Sequence, residues 1–263
     1  MTPPPPGMVW IPGGRFVMGS DAHYAEERPA HHREVEGFWI DTVPVTVKQF
    51  AAFVAASGHV TAAERLGGSA VFRQPATADL RRPDWWQWQA GADWRGADGD
   101  LPVVHVGHDD ALAFAAWAGK RLPSEAQWEY AAWGGAGGTD YPWGQGLTRG
   151  GAWLANVWQG YFPTRNDKPG APGPSRAGTY PANAYGLYDM IGNVWEWTRD
   201  PFAAHGPWTC CGPGQGDAGW VIKGGSYLCA PNYCARYRPP ARLGQPADSP
   251  TGHIGFRCVI EPG

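Results

Sequence analysis

The chain has 263 residues, and its 21 basic and 24 acidic side chains give a formal net charge of −3; nothing in so even a balance reads as a phosphate-binding surface, which argues against nucleic acid as a partner. The longest mostly apolar run, residues 111–119, falls far short of the roughly 20 residues that a membrane-spanning helix requires. An apolar content of 43% supports a folded core, while 38 glycines, 26 prolines and 16 tryptophans predict a domain poor in long helices and strands, its loops packed by large rigid rings.

Residues 1–7, with prolines at positions 3–6, read as a flexible, exposed leader that lacks the basic-then-apolar pattern of a secretory signal. No polar linker or fixed-period repeat follows, so residues 8–263 read as a single domain. Residues 9–18, VWIPGGRFVM, predict a strand, a Pro-Gly-Gly turn and a second strand. Residues 37–46 predict another extended segment that runs into a helix. There Thr46 and Gln49 have the spacing of a capping box, and Val45 and Phe50 that of a hydrophobic staple. This helix is expected through Ala56, burying Phe50, Phe53 and Val54, with Gly58 just past its end. A second helix is expected to begin after Asp109 or Asp110 and to end at Gly119. A third has Ser124 as its cap and Gln127 at the reciprocal position, and stops near Gly134. Beyond it the pattern is loops and brief strands, with residues 168–175 (KPGAPGPS) as a loop.

The chemistry concentrates in YLCAPNYCARYR, where Cys229 and Cys234 stand close together among aromatics and arginines. Paired thiolates suit a soft, low-coordinate ion, Cu(I) above all, and they are set up to exchange with an incoming cysteine thiol. Five cysteines are an odd number, which argues against a complete disulfide framework and for a reducing, cytoplasmic setting. Two other readings remain open. Residues this close in an irregular loop can meet the geometry of a disulfide. A zinc site completed by Cys210, Cys211 and Cys258 is the other, although adjacent Cys210 and Cys211 would chelate with strain. His31, His32, His105 and His108 show no three-ligand spacing and read as surface or satisfied residues.

Taken together, MVWIPGGRFVMGS, PVTVKQFAAFV, PVVHVGHDDALAFAAWAGKRLPSEAQWEYAA, YPWG, GLYDMIGNVWEW, KGGSYLC and GFRC give a chain that resembles the formylglycine-generating enzymes, or sulfatase-modifying factors, from Met8 to Cys258. The resemblance implies an α+β fold with little regular secondary structure, related to C-type lectins. It also implies O2-dependent oxidation of a cysteine, in a Cys-x-Pro-x-Arg motif of an unfolded sulfatase, to Cα-formylglycine by a monomeric enzyme supplied with a thiol reductant. Cys229 and Cys234 match the family cysteines that bind Cu(I). Ser226 matches a serine that lends a hydrogen bond near the copper, and Trp195 a tryptophan that walls the oxygen pocket. Asp189, Gly192, Val194 and Glu196 match a calcium site built from carboxylates and backbone carbonyls. A second calcium site starts at Asn156 and the Val157 carbonyl; its downstream aspartate is missing, with Asp167 as the candidate substitute. Ser69 matches a serine on the substrate side, but Gly68 stands where relatives often carry an aspartate, so the target arginine must find its carboxylate elsewhere. Trp85, Trp86 and Trp88 suit either a peptide groove or buried packing, and Cys258 a buried thiol. Cys210 and Cys211 receive no role. The competing functions are a binding module on the same scaffold and an iron-dependent sulfoxide synthase. The latter draws its histidine-rich site from an additional helical domain that this sequence lacks.

Overall fold

The computed structural model describes residues 4–202 and 219–262. Helix placement follows the capping signals. The Thr46 hydroxyl accepts the Gln49 N–H at 3.3 Å, and the Thr46 N–H donates to Gln49 Oε1 at 2.8 Å. The resulting helix α1 (Val47–Ser57) buries Phe50 and Phe53, leaves Val54 half-buried and ends at Gly58 in the left-handed region. A second capping box, Thr61 with Glu64, starts a helix that the apolar pattern did not announce, α2 (Ala62–Leu66). It has only 5 residues, too few for a hydrophobic period to register. Helix α3 (His108–Trp117) begins earlier than expected, with Gly107 as its cap. Asp110 occupies the third helical position rather than the cap. Its carboxylate accepts the Gly107 N–H at 2.8 Å and the Ala62 N–H at 3.0 Å, and so ties α3 to α2. Helix α4 (Glu125–Trp133) starts at Ser124 and stops at Gly134, as the sequence indicates.

Strands β1 (Met8–Ile11) and β2 (Gly14–Met18) form on either side of the Pro-Gly-Gly turn but take different partners. β2 pairs with β3 (His31–Val35), and β1 pairs with β4 (Phe38–Asp41). The Pro5 carbonyl accepts the Met8 N–H at 3.2 Å and the Gly7 carbonyl accepts the Thr42 N–H at 2.9 Å. The end of the leader is therefore docked, contrary to the expectation of flexibility through residue 7. β5 (Gly68–Phe72) and β6 (Trp86–Ala90) make an antiparallel pair. Two short ladders follow, β7 (Thr148–Arg149) with β8 (Ala152–Trp153) and β9 (Gly160–Tyr161) with β10 (Arg165–Asn166).

The last third of the chain supplies the framework of the site. β11 (Trp195–Pro201), β12 (Trp220–Lys223), β13 (Arg242–Gln245) and β14 (Ile254–Gly255) form a sheet in the order β13-β12-β11-β14, with β14 parallel to β11. β15 (Val259–Ile260) then returns to β4, so the two ends of the chain share one sheet. Rings of Phe50, Phe53, Phe114 and Phe256 meet at centroid distances between 5.3 and 6.3 Å in the main core. Trp85, Trp158, Phe162 and Tyr227 form a separate aromatic cluster. The short regular elements and ring-packed loops are what the composition predicts, and the α+β architecture is the one that the resemblance implies.

Candidate functional site

After β12 the chain turns through Gly224 and Gly225, at φ 92° and 75°. A Cβ on Gly225 would lie 2.8 Å from the Arg236 carbonyl, so only glycine lets the two segments approach this closely. Two turns follow. The Cys229 N–H donates to the Ser226 carbonyl at 2.9 Å, and the Cys234 N–H to the Ala230 carbonyl at 2.9 Å. They bring the sulfurs of Cys229 and Cys234 to 3.7 Å from each other, well beyond the roughly 2.05 Å of a disulfide bond. Both cysteines are buried. Each sulfur receives an N–H: Cys229 Sγ from the Ser226 backbone at 3.4 Å, Cys234 Sγ from Arg236 Nη1 at 3.8 Å. Arg236 is itself pinned. Its Nε donates to Glu26 Oε1 at 2.6 Å, and its guanidinium lies 3.7 Å from the centre of the Tyr24 ring. The guanidinium, paired with Glu26, is thus held as a fixed donor to the Cys234 sulfur.

The sulfurs open onto a cavity of about 20 Å³ that Ser226, Trp195, Trp85 and His253 also line. Trp195, which the resemblance assigns to the wall of an oxygen pocket, lines this cavity. Its backbone N–H donates to the His253 carbonyl at 2.9 Å, through the register that pairs β11 with β14. For Ser226 the expected hydrogen bond comes from a different atom. The backbone N–H reaches Cys229 Sγ, while the hydroxyl oxygen accepts the Leu228 N–H at 3.3 Å.

Sequence reasoning missed His253. Its ring is 2% exposed, its Nδ1 lies 2.7 Å from Thr251 Oγ1, and its face packs 4.6 Å from the centre of the Trp86 ring. The available signal was GHIGFRC, a lone imidazole just before the GFRC motif. Ser69, expected at the substrate, is instead fully buried. Its hydroxyl donates to the Pro250 carbonyl at 2.8 Å, so its oxygen accepts from His105 Nδ1 at 2.7 Å, which fixes the proton on that nitrogen. The His105 backbone N–H in turn donates to the Thr251 carbonyl at 2.9 Å. Ser69 therefore braces the loop that carries His253 and does not itself reach the cavity. Of the three tryptophans weighed for a groove, Trp85 is buried and Trp86 half-buried on the cavity wall, while Trp88 is exposed.

Asp189 has a backbone φ of 55°, and its Oδ2 accepts the Gly178 N–H at 2.7 Å. Its Oδ1 is buried with no partner among the described residues. Burial, the largest influence, pushes the carboxyl up to about 6, with nearby Glu196 adding to the rise. Two neighbouring carboxylates, one of them with an orphaned buried oxygen, fit a hard cation, and the Gly192 and Val194 carbonyls lie on the loop between them. Glu196 is already clasped by Arg257 at 2.7 and 2.8 Å and by Trp128 Nε1 at 2.7 Å. It therefore brings only its remaining lone pairs.

The second calcium set does not fit. Lys168 Nζ donates to Asn156 Oδ1 at 2.7 Å, which places an ammonium where the divalent ion was expected, beside Val157. Asp167 turns away and pairs with Arg165 at 3.1 Å in the exposed β9–β10 hairpin. Cys258 is fully buried, and desolvation drives its thiol well above the usual range, as a packed hydrophobe requires. Cys210 and Cys211 lie outside the described residues. Among the described residues no three His, Cys, Asp or Glu side chains converge as a metal site, and no helix is long and apolar enough to cross a membrane.

Residues 1–262 match the family profile described as the Sulfatase-modifying factor enzyme 1-like domain. The chain is 47% identical to the formylglycine-generating enzyme of Mycobacterium tuberculosis, covering 97% of this chain and 98% of that protein. It is 46% identical to the formylglycine-generating enzyme of Streptomyces coelicolor, covering 96% and 88%. Among solved structures, PvdO from Pseudomonas aeruginosa superimposes with a TM-score of 0.67 at 26% identity, covering 97% of this chain and 94% of PvdO. With the paired cysteines of its 224–238 loop on the same scaffold, the chain belongs to the sulfatase-modifying factor family, that of the formylglycine-generating enzymes.

Proposed function

We propose that this protein oxidises a cysteine in a Cys-x-Pro-x-Arg segment of an unfolded sulfatase to Cα-formylglycine, using dioxygen and a thiol reductant, with Cu(I) held by Cys229 and Cys234. The observation that supports it most is the pair of buried sulfurs 3.7 Å apart on a shared cavity, each with its own N–H donor. Two sulfurs of this kind are the donor set that a soft monovalent ion prefers. Copper would supply the one-electron chemistry that lets ground-state dioxygen react with a thiol-bearing carbon.

The chain's own residues do the rest. The Ser226 N–H and the Arg236 guanidinium orient the sulfurs and offset their charge. Trp195 and Trp85 narrow the cavity and exclude water, so that a reactive centre is not quenched before the substrate carbon is oxidised. His253, held by Thr251 and packed on Trp86, presents a polar ring on the wall that the substrate meets. The overall reaction balances as one substrate thiol, one dioxygen and two reductant thiols giving one aldehyde, one hydrogen sulfide, one disulfide and one water.

Asp189, Glu196 and the carbonyls of Gly192 and Val194 hold one Ca²⁺ in this reading, a structural ion at the start of β11, which carries Trp195. The test is direct. The copper-supplied protein is mixed with oxygen, a thiol reductant and a peptide bearing Cys-x-Pro-x-Arg, and the peptide is followed by mass spectrometry. Conversion of thiol to aldehyde that ceases in Cys229→Ser is the expected result. An unchanged peptide under oxygen contradicts the proposal and returns the chain to a binding role.

A further inference from the structure

The cavity beside the cysteine pair contains one polar group that its own fold leaves unsatisfied. Trp85 is 1% exposed, and its indole N–H has no acceptor among the described residues. The ring is not free to search for one. Phe162 meets it edge-on at 5.4 Å and 87°, and Tyr233 at 5.4 Å and 88°, while the Trp85 carbonyl is held by the Arg73 N–H at 2.8 Å. An indole donor buried without a partner destabilises the fold, whereas phenylalanine would fill much of the same space without that cost. Trp85 lines the cavity together with Cys229, Cys234 and His253, so an acceptor that enters there is the one its unmet donor can take.

We infer that Trp85 Nε1–H is a substrate-binding donor, which takes a backbone carbonyl of the incoming peptide next to its reacting cysteine. This rests on the functional reading above and specifies how that site grips its substrate. The choice of acceptor follows from chemistry. A short segment threaded to present its cysteine brings few strong acceptors close to that side chain, and those nearest are its own peptide carbonyls. The neighbouring wall suits the same guest. Trp86 and Tyr233, both half-buried, carry aromatic surface outward from the cavity, and such surface packs well against an extended chain. A carbonyl caught by a fixed N–H sets the rotation of the peptide and hence the direction in which the cysteine sulfur approaches the pair.

The experiment uses the full chain in two altered forms: Trp85→Phe, and Trp85 replaced by benzothienylalanine, which swaps the N–H for sulfur and keeps the bicyclic shape. Binding of a motif peptide with serine in place of its cysteine is measured by fluorescence anisotropy on metal-free protein. Oxidation of the cysteine peptide and affinity for Cu(I) are measured alongside. Removing one buried donor is expected to weaken peptide binding and raise KM by roughly five- to a hundredfold, with Cu(I) affinity unchanged. The benzothienyl form, which keeps the packing, should show the same loss. Peptide affinity in that form equal to the parent overturns the inference and assigns the N–H to a trapped water. A parent chain that neither binds nor oxidises the motif peptide defeats the functional reading itself, and the inference with it.

Discussion

Acidification should loosen the loop that carries His253, and His105 is the group through which it acts. His105 sits at φ 61°, with Nδ1–H given to Ser69 and its backbone N–H to the Thr251 carbonyl. Its ring also packs against Gly252, where an added Cβ would meet Nε2 at 3.3 Å. Burial is the leading reason its pKa falls from 6.5 to about 4, with the neighbouring His253 pushing the same way. The unfolded chain therefore takes up this proton first. The contribution is complete above about 6.5, and it is lost as pH falls from there towards 4. The shift corresponds to a loss on the order of 3 kcal/mol by the bottom of that window. His105→Asn removes the titration while keeping an N–H donor and a residue that tolerates positive φ. Urea unfolding followed by tryptophan fluorescence between pH 7 and pH 4 should show the parent losing about that much more stability than the variant. Parallel stability curves for the two proteins would refute the assignment.

Other consequences follow from the cation site and the buried ion pairs. Asp189 has its carboxyl raised by burial, so in the folded, calcium-free protein its ionised form costs stability above its unfolded pKa. Asp189→Asn should therefore stabilise the calcium-free protein at pH 7, by up to roughly 3 kcal/mol, and abolish the rise in Tm that added Ca²⁺ gives the parent. A Ca²⁺-dependent Tm shift retained in the variant would count against the site. Because Lys168 occupies the place of the second ion, calcium analysis by mass spectrometry should find one ion per chain; two would show that the ammonium is displaced. Arg257→Met strands Glu196, which is fully buried and would keep only Trp128 as a side-chain donor among the described residues. The expected loss is about 3–5 kcal/mol in denaturant unfolding, and a loss below 1 kcal/mol would mean that water reaches the carboxylate.

Much of this architecture was legible because local chemistry dictated it. The capping pairs at Thr46 and Ser124 and the glycines at 58 and 134 fix both ends of α1 and of α4 within a residue or two, since side-chain caps and left-handed stops are decided by neighbours in sequence. The start of α3 was misplaced because Asp110 reads equally well as a cap or as the residue that reaches back to one. The cysteine pair was visible as a spacing, and the structure gives it a geometry. Strand partners were not legible: β1 and β2 flank one turn yet join different sheets, a choice made by residues far along the chain. The same is true of Ser69 and His253, which are 184 positions apart by number and belong to one braced loop only after β5 and the 250–253 segment meet. Lys168 illustrates a substitution that composition cannot show, a side chain taking the place expected for an ion.

The central claim is that Cys229 and Cys234 together hold one soft monovalent ion. Anaerobic titration of the reduced protein with Cu(I), in competition with a chelator of known affinity, tests it most directly. The account predicts one tightly bound equivalent per chain, lost in both Cys229→Ser and Cys234→Ser, with Cys258→Ser unaffected. Tight binding that survives either of the first two substitutions, or no tight binding by the parent chain, would contradict it.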